Sequence, residues 1–147
     1  MRLIKPFLIL AAVLVGAPAL GAGLSLEEAL NAFSSECAQC AAYFGLSHRC
    51  FVSSGQLQGD DKASIVESLK FFYELQYATG KAVGMSDKAI EGRFGLALDS
   101  INNDMDNDCV VNISVIIKKY GKFCKALAEN PDQQLKLLMK EGLPTLE

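Results

Sequence analysis

The chain has 147 residues, with 14 Lys and Arg against 17 Asp and Glu, one His, five Cys and no Trp. That length is one domain's worth of chain. A net charge of −3 argues against a protein that coats phosphate backbones, so no nucleic-acid partner is expected. A single His, with no H-E-x-x-H, no G-x-S-x-G and no phosphate-cradling Gly-rich loop, leaves no catalytic residue to name and calls for no cofactor or resident metal.

The first 22 residues carry a short basic start with Arg2 and Lys5, an apolar stretch, and mostly small residues from Gly16 to Ala22. This is the layout of a secretory signal peptide, with a cut expected near Ala19 to Gly21. An apolar run of roughly 15 residues falls short of the roughly 20 needed to span a bilayer. Removing Arg2 and Lys5 with the segment leaves 12 basic residues against 17 acidic ones, a net charge of −5. The expectation is signal peptide over 1–22, a single helical domain over 23–147, no transmembrane segment in the mature chain, and a periplasmic or secreted location where disulfides persist.

Ser25-Leu26-Glu27-Glu28 has the capping-box pattern and predicts a helix start. Leu30, Phe33, Cys37, Cys40 and Phe44 follow at alternating spacings of 3 and 4, one face of a helix, with Gly45 a point of possible interruption. After a loop at 53–59, Asp60 or Asp61 caps a second helix carrying Ile65, Val66, Leu69, Phe72 and Leu75, with Gly80 as its expected stop. Ser86 opens a third helix with Ile90, Phe94, Ala97 and Ile101. Gly92 and Gly95 lie inside it, each costing about 1 kcal/mol relative to Ala, and close approach of a neighbouring helix would explain them. The polar run 102–108 reads as loop and cap. Cys109, Ile113, Ile116, Tyr120, Phe123 and Leu127 then give a fourth helix, and Asn130-Pro131 starts a short fifth one. The predicted fold is all-α, a disulfide-stapled bundle of four main helices plus a short C-terminal helix.

The cysteines constrain that bundle. Cys37 and Cys40 are three apart on one helix, a spacing that keeps their sulfurs from bonding without unwinding a turn. Cys109 and Cys124 are fifteen apart, about 22 Å at 1.5 Å per residue, so each needs a partner on another element. Cys37 to Cys50 spans about 20 Å and Cys40 to Cys50 about 15 Å, and the first matches better. Antiparallel first and fourth helices then predict Cys37–Cys124 and Cys50–Cys109 as two rungs, with Cys40 a free, core-facing thiol. Two other readings stay open. If the helix breaks at Gly45, Cys37, Cys40, His48 and Cys50 have the ligand types of a zinc or copper site. The C-x-x-C at 37–40 is the spacing of a redox motif, although no strand precedes it.

Asp104-x-Asp106-x-Asp108 resembles the first half of an EF-hand loop, but Cys109 stands where the loop needs Gly and Val115 where it needs Glu. A capped turn explains the same residues. On the second helix, Phe71, Phe72 and Tyr73 in succession, then Tyr77, cover more of the circumference than a core stripe. Either that helix is buried on most sides, or an aromatic faces outward as a partner or ligand surface, with Phe71, Tyr73 and Tyr77 the candidates and a homodimer one way to cover them. The functional expectation is a non-catalytic secreted or periplasmic protein that binds an unknown protein partner, as an inhibitor or immunity-type partner would. The alternatives are a carrier of a small hydrophobic ligand or lipid, and a thiol metal-binding or redox protein.

Overall fold

The computed structural model describes residues 23–56 and 59–141, and the expected signal segment lies outside them. Helix α1 spans Leu26–Ser53, α2 Asp60–Ala82 and α3 Asp87–Asp104. Helix α4 is one rod of three segments, α-helical Cys109–Ile116, π-helical Ile117–Gly121 and α-helical Lys122–Glu129, and α5 spans Pro131–Glu141. Among the described residues there is no strand, and no helix is long and apolar enough to cross a membrane.

The first helix starts at the capping box. The Glu28 amide donates to Ser25 Oγ at 3.3 Å, and the Ser25 amide donates to the Glu28 carboxylate at 2.9 Å. It runs unbroken through Gly45, because one glycine costs about 1 kcal/mol and its neighbours Ala41, Ala42 and Leu46 are buried. All four other helices contact α1. Helix α2 lies antiparallel to it, with Phe44 stacked on Phe72 at 5.8 Å and Ser34 Oγ donating to the Gln76 carbonyl at 3.0 Å. Helix α3 runs parallel to α1. Arg93 donates to Asn31 Oδ1 at 2.8 Å near one end, and Arg49 donates to Asn102 Oδ1 at 2.9 Å near the other. Helices α4 and α5 return antiparallel, and the Leu24 amide donates to the Leu138 carbonyl at 3.3 Å. The core therefore forms around α1, with α2 contributing only Phe72, Gln76 and Gly80 as fully buried positions.

The glycines behave differently from expectation. Gly80 does not end α2, because the helix continues to Ala82 and stops in a Schellman turn at Gly84, whose φ is +78°. The Met85 amide reaches the Gly80 carbonyl at 2.9 Å, and the Gly84 amide reaches the Lys81 carbonyl at 3.0 Å. Gly80 is instead a packing position. A Cβ there would sit 2.9 Å from Ile90 Cγ1, so it is Gly80 that lets α3 close on α2. Gly92 and Gly95 have nothing within 4 Å of where a Cβ would be, so no neighbouring helix explains them.

Candidate functional site

Two disulfides join α1 to α4. Cys50 is bonded to Cys109, with Cα atoms 5.2 Å apart, and Cys40 to Cys124, with Cα atoms 5.4 Å apart. The expected Cys37–Cys124 bridge is not the one formed, and Cys37, not Cys40, is the free thiol. The reason is angular. At about 100° per residue, Cys37 lies about 140° around α1 from Cys50, whereas Cys40 lies about 80° away, nearer the side that faces α4. Matching axial lengths also assumed a uniform pitch, which the π turn at Ile117–Gly121 breaks by adding a residue to one turn of α4. Cys37 is fully buried, and burial, with the Glu36 charge beside it, pushes its thiol well above the usual range. It is not a poised nucleophile. With Cys40 and Cys50 oxidised and α1 unbroken, Cys37, Cys40, His48 and Cys50 do not converge as metal ligands, and no metal-binding group of His, Cys, Asp or Glu occurs among the described residues.

The aspartates of the α3–α4 turn each have a local role rather than a shared ion. Asp106 and Asn107 adopt left-handed backbone, with φ of 52° and 59°. Asp108 caps α4 by accepting from the Val111 amide at 3.1 Å. Asp104 accepts from Lys119 Nζ at 2.9 Å and from the Tyr120 hydroxyl at 2.6 Å. Burial raises the Asp104 carboxyl, but the Tyr120 and Lys119 hydrogen bonds and the Lys119 charge outweigh it and hold the group below the usual carboxylate range. This cluster fixes the middle of α4 against the end of α3.

The three aromatics of α2 are not brought together. Tyr73 packs edge-on against Phe94 of α3 at 5.3 Å between centroids, and the Tyr77 hydroxyl donates to Asp87 at 2.6 Å. Phe71 points elsewhere, because residues two and six apart fall about 160° and 120° around a helix, and it is edge-on to Phe72 at 5.1 Å. Phe71 and Tyr77 are both partly exposed, on different sides of α2. Hollows lie elsewhere, among them two open grooves, one of about 770 Å³ beside Met85, Arg93 and Leu96 and one of about 510 Å³ beside Leu26, Leu30 and Val83. Two others are smaller. One, of about 200 Å³, is lined by Phe123, Leu127 and Leu137 between α4 and α5, and one of about 210 Å³ lies along Ala38, Ala97 and Ile101 between α1 and α3. Ligand pockets are usually roughly 300–1,000 Å³, so the two smaller hollows fall below that range and the two open grooves within it.

The most distinctive surface is the first half of α4. Val110, Val111, Val115 and Ile117 are exposed by 58%, 71%, 40% and 40%. They flank the exposed Ser114, while Ile116 on the opposite side is buried. Sequence reading took this segment as a helix from its core positions and did not ask which face Val110, Val111, Val115 and Ile117 took. Four β-branched residues exceed what one core stripe can hold, and that surplus was the available signal. The face has charged ends. Asp106 and Asp108 precede it, and the exposed Lys118, Lys122 and Lys125 follow it with no ion pair among the described residues. The Cys50–Cys109 bridge pins its start and the Asp104 cluster its end, so the face is rigid before any encounter. No protein family, curated protein or solved structure matches the chain.

Proposed function

We propose that the protein is a non-catalytic docking module that works in an oxidising compartment, periplasmic or extracellular, and binds protein through the exposed face of α4. The observation that carries this reading is the apolar quartet Val110, Val111, Val115 and Ile117, held in the open on a disulfide-braced helix. Complete burial of a Val or Ile side chain stabilises by about 1.5–3 kcal/mol, and the four exposures amount to about two whole side chains, so covering the face contributes about 3–6 kcal/mol. Preorganisation adds to this, since little ordering entropy remains to be lost on binding. Two disulfides and the signal-like start at Arg2 to Gly21 support the compartment. The test is a photo-crosslinking amino acid placed at Val111 and, as control, at the exposed Lys136 of α5. A discrete protein adduct from position 111 and none from 136 is expected, and adducts that are absent or identical at the two positions refute the reading.

A further inference from the structure

The charge pattern around the α4 face names its occupant. The exposed Asp106 and Asp108 stand directly before the apolar quartet, and Lys118, Lys122 and Lys125, without ion pairs among the described residues, stand directly after it, with the exposed Glu129 farther on at the end of the helix. A surface that is acid, apolar and basic in order along one helix is complementary to itself turned end over end. From this we infer that the partner of α4 is a second copy of this chain, packed antiparallel about a two-fold axis at Ser114. The inference rests on the docking reading above and goes beyond it.

In that arrangement residues equidistant from Ser114 face each other. Val110 lies across from Lys118, Val111 from Ile117, and Asp106 from Lys122, so one aspartate meets one lysine at each end. Ser114 is small and exposed at the centre of the quartet, which lets the two helices approach closely at the axis. A parallel pairing would set lysine against lysine and leave the aspartates together, so the pattern selects orientation as well as partner. Such an interface is isologous, the commonest kind in homo-oligomers. It is also short, two helical turns on each side, which places the association in the micromolar range rather than the nanomolar.

Sedimentation equilibrium of the full chain reads this directly. The expected result is a mass rising from one chain to two across micromolar concentrations, with weaker association at high salt. Lys118→Glu/Lys122→Glu and, separately, Val111→Lys each weaken it at least about tenfold while helix content by circular dichroism is unchanged. Ser114→Cys is expected to form a covalent dimer under mild oxidation, because the axis brings the two thiols together. A chain that stays monomeric throughout overturns the self-association. The docking reading survives that result if position 111 still crosslinks to a discrete different protein, and falls with it if no adduct forms. A dimer that persists in all the surface variants, or one in which Ser114→Cys does not crosslink, overturns the assignment to α4.

Discussion

Replacing Glu36 with Gln should stabilise the protein, and should do so only at neutral and alkaline pH. Glu36 lies on α1 beside Cys37, and its two carboxylate oxygens accept from Gln134 Nε2 of α5 at 3.1 and 3.2 Å. Burial pushes its carboxyl up to about 7, against a partial lowering by the Gln134 bond. In the unfolded chain the group titrates near 4.5. The folded protein therefore holds the extra proton between pH 4.5 and about 7, and stability falls as pH rises through that window. A difference of about 2.5 units corresponds to about 3.4 kcal/mol. Part of the carboxylate faces water, and solvent screening reduces this to about 1.5 kcal/mol. Gln at position 36 keeps the length and the accepting carbonyl but cannot ionise. Thermal melts of Glu36→Gln and the parent at pH 8 should differ by about 4–8 °C in favour of the variant, and at pH 4.5 by roughly 1 °C or less. Taking the difference between the two pH values cancels every other titrating group. An equal gain at both pH values, or a loss at pH 8, would refute the argument.

Other substitutions test separate parts of the structure. Gly80→Ala brings a Cβ within 2.9 Å of the buried Ile90 Cγ1, so overpacking exceeds the gain in helix propensity and chemical denaturation should show a net loss of about 1–2 kcal/mol. Gly92→Ala meets nothing within 4 Å and should gain about 0.5–1 kcal/mol in the same assay. Cys124→Ala opens a bridge between residues 84 apart, which the chain-entropy model values at about 4.5 kcal/mol. Alkylation under denaturing conditions should then label two thiols instead of one, and a parent peptide joining Cys37 to Cys124 would contradict the observed pairing. Asp104→Asn removes a carboxylate held below its usual range, so its stability cost should be present at pH 7 and shrink as pH falls through and below 3.8.

Three helix starts were the most legible feature, because a cap is a local matter of one side chain and one amide; α2 is the exception, since the expected caps Asp60 and Asp61 lie inside its first turn and Gly59 precedes it with no side-chain cap. Ser25, Ser86 and Asp108 all accept from the backbone three residues on. Glycine was less legible, since its local signature is the same whether it ends a helix, admits a neighbour or faces open space. Gly84, Gly80 and Gly92 do these three things in turn, and only tertiary packing separates them. The cysteine pairing was half legible. Axial length is available from spacing, but the π turn in α4 alters both pitch and facing, and no residue in Ile117–Gly121 announces it. The α4 face was missed because helix reading asks which residues line the core, and Val110 and Val111 are ordinary core residues by type.

Both covalent links connect α1 to α4, and α2 and α3 carry none. The chain between Cys50 and Cys109 is thus a tethered loop, closed at its base, that holds a helical hairpin whose first arm buries few side chains. Heat or denaturant can peel this hairpin from α1 while the two ends of the loop stay joined. Native-state hydrogen exchange should divide along that line, with amides of α2 exchanging through a cheap subglobal opening and those of α1 near Cys40 only on global unfolding. The unfolded hairpin never diffuses far from its seat, so its return is an intramolecular event over a closed loop. Such a clasp turns local melting into a reversible excursion.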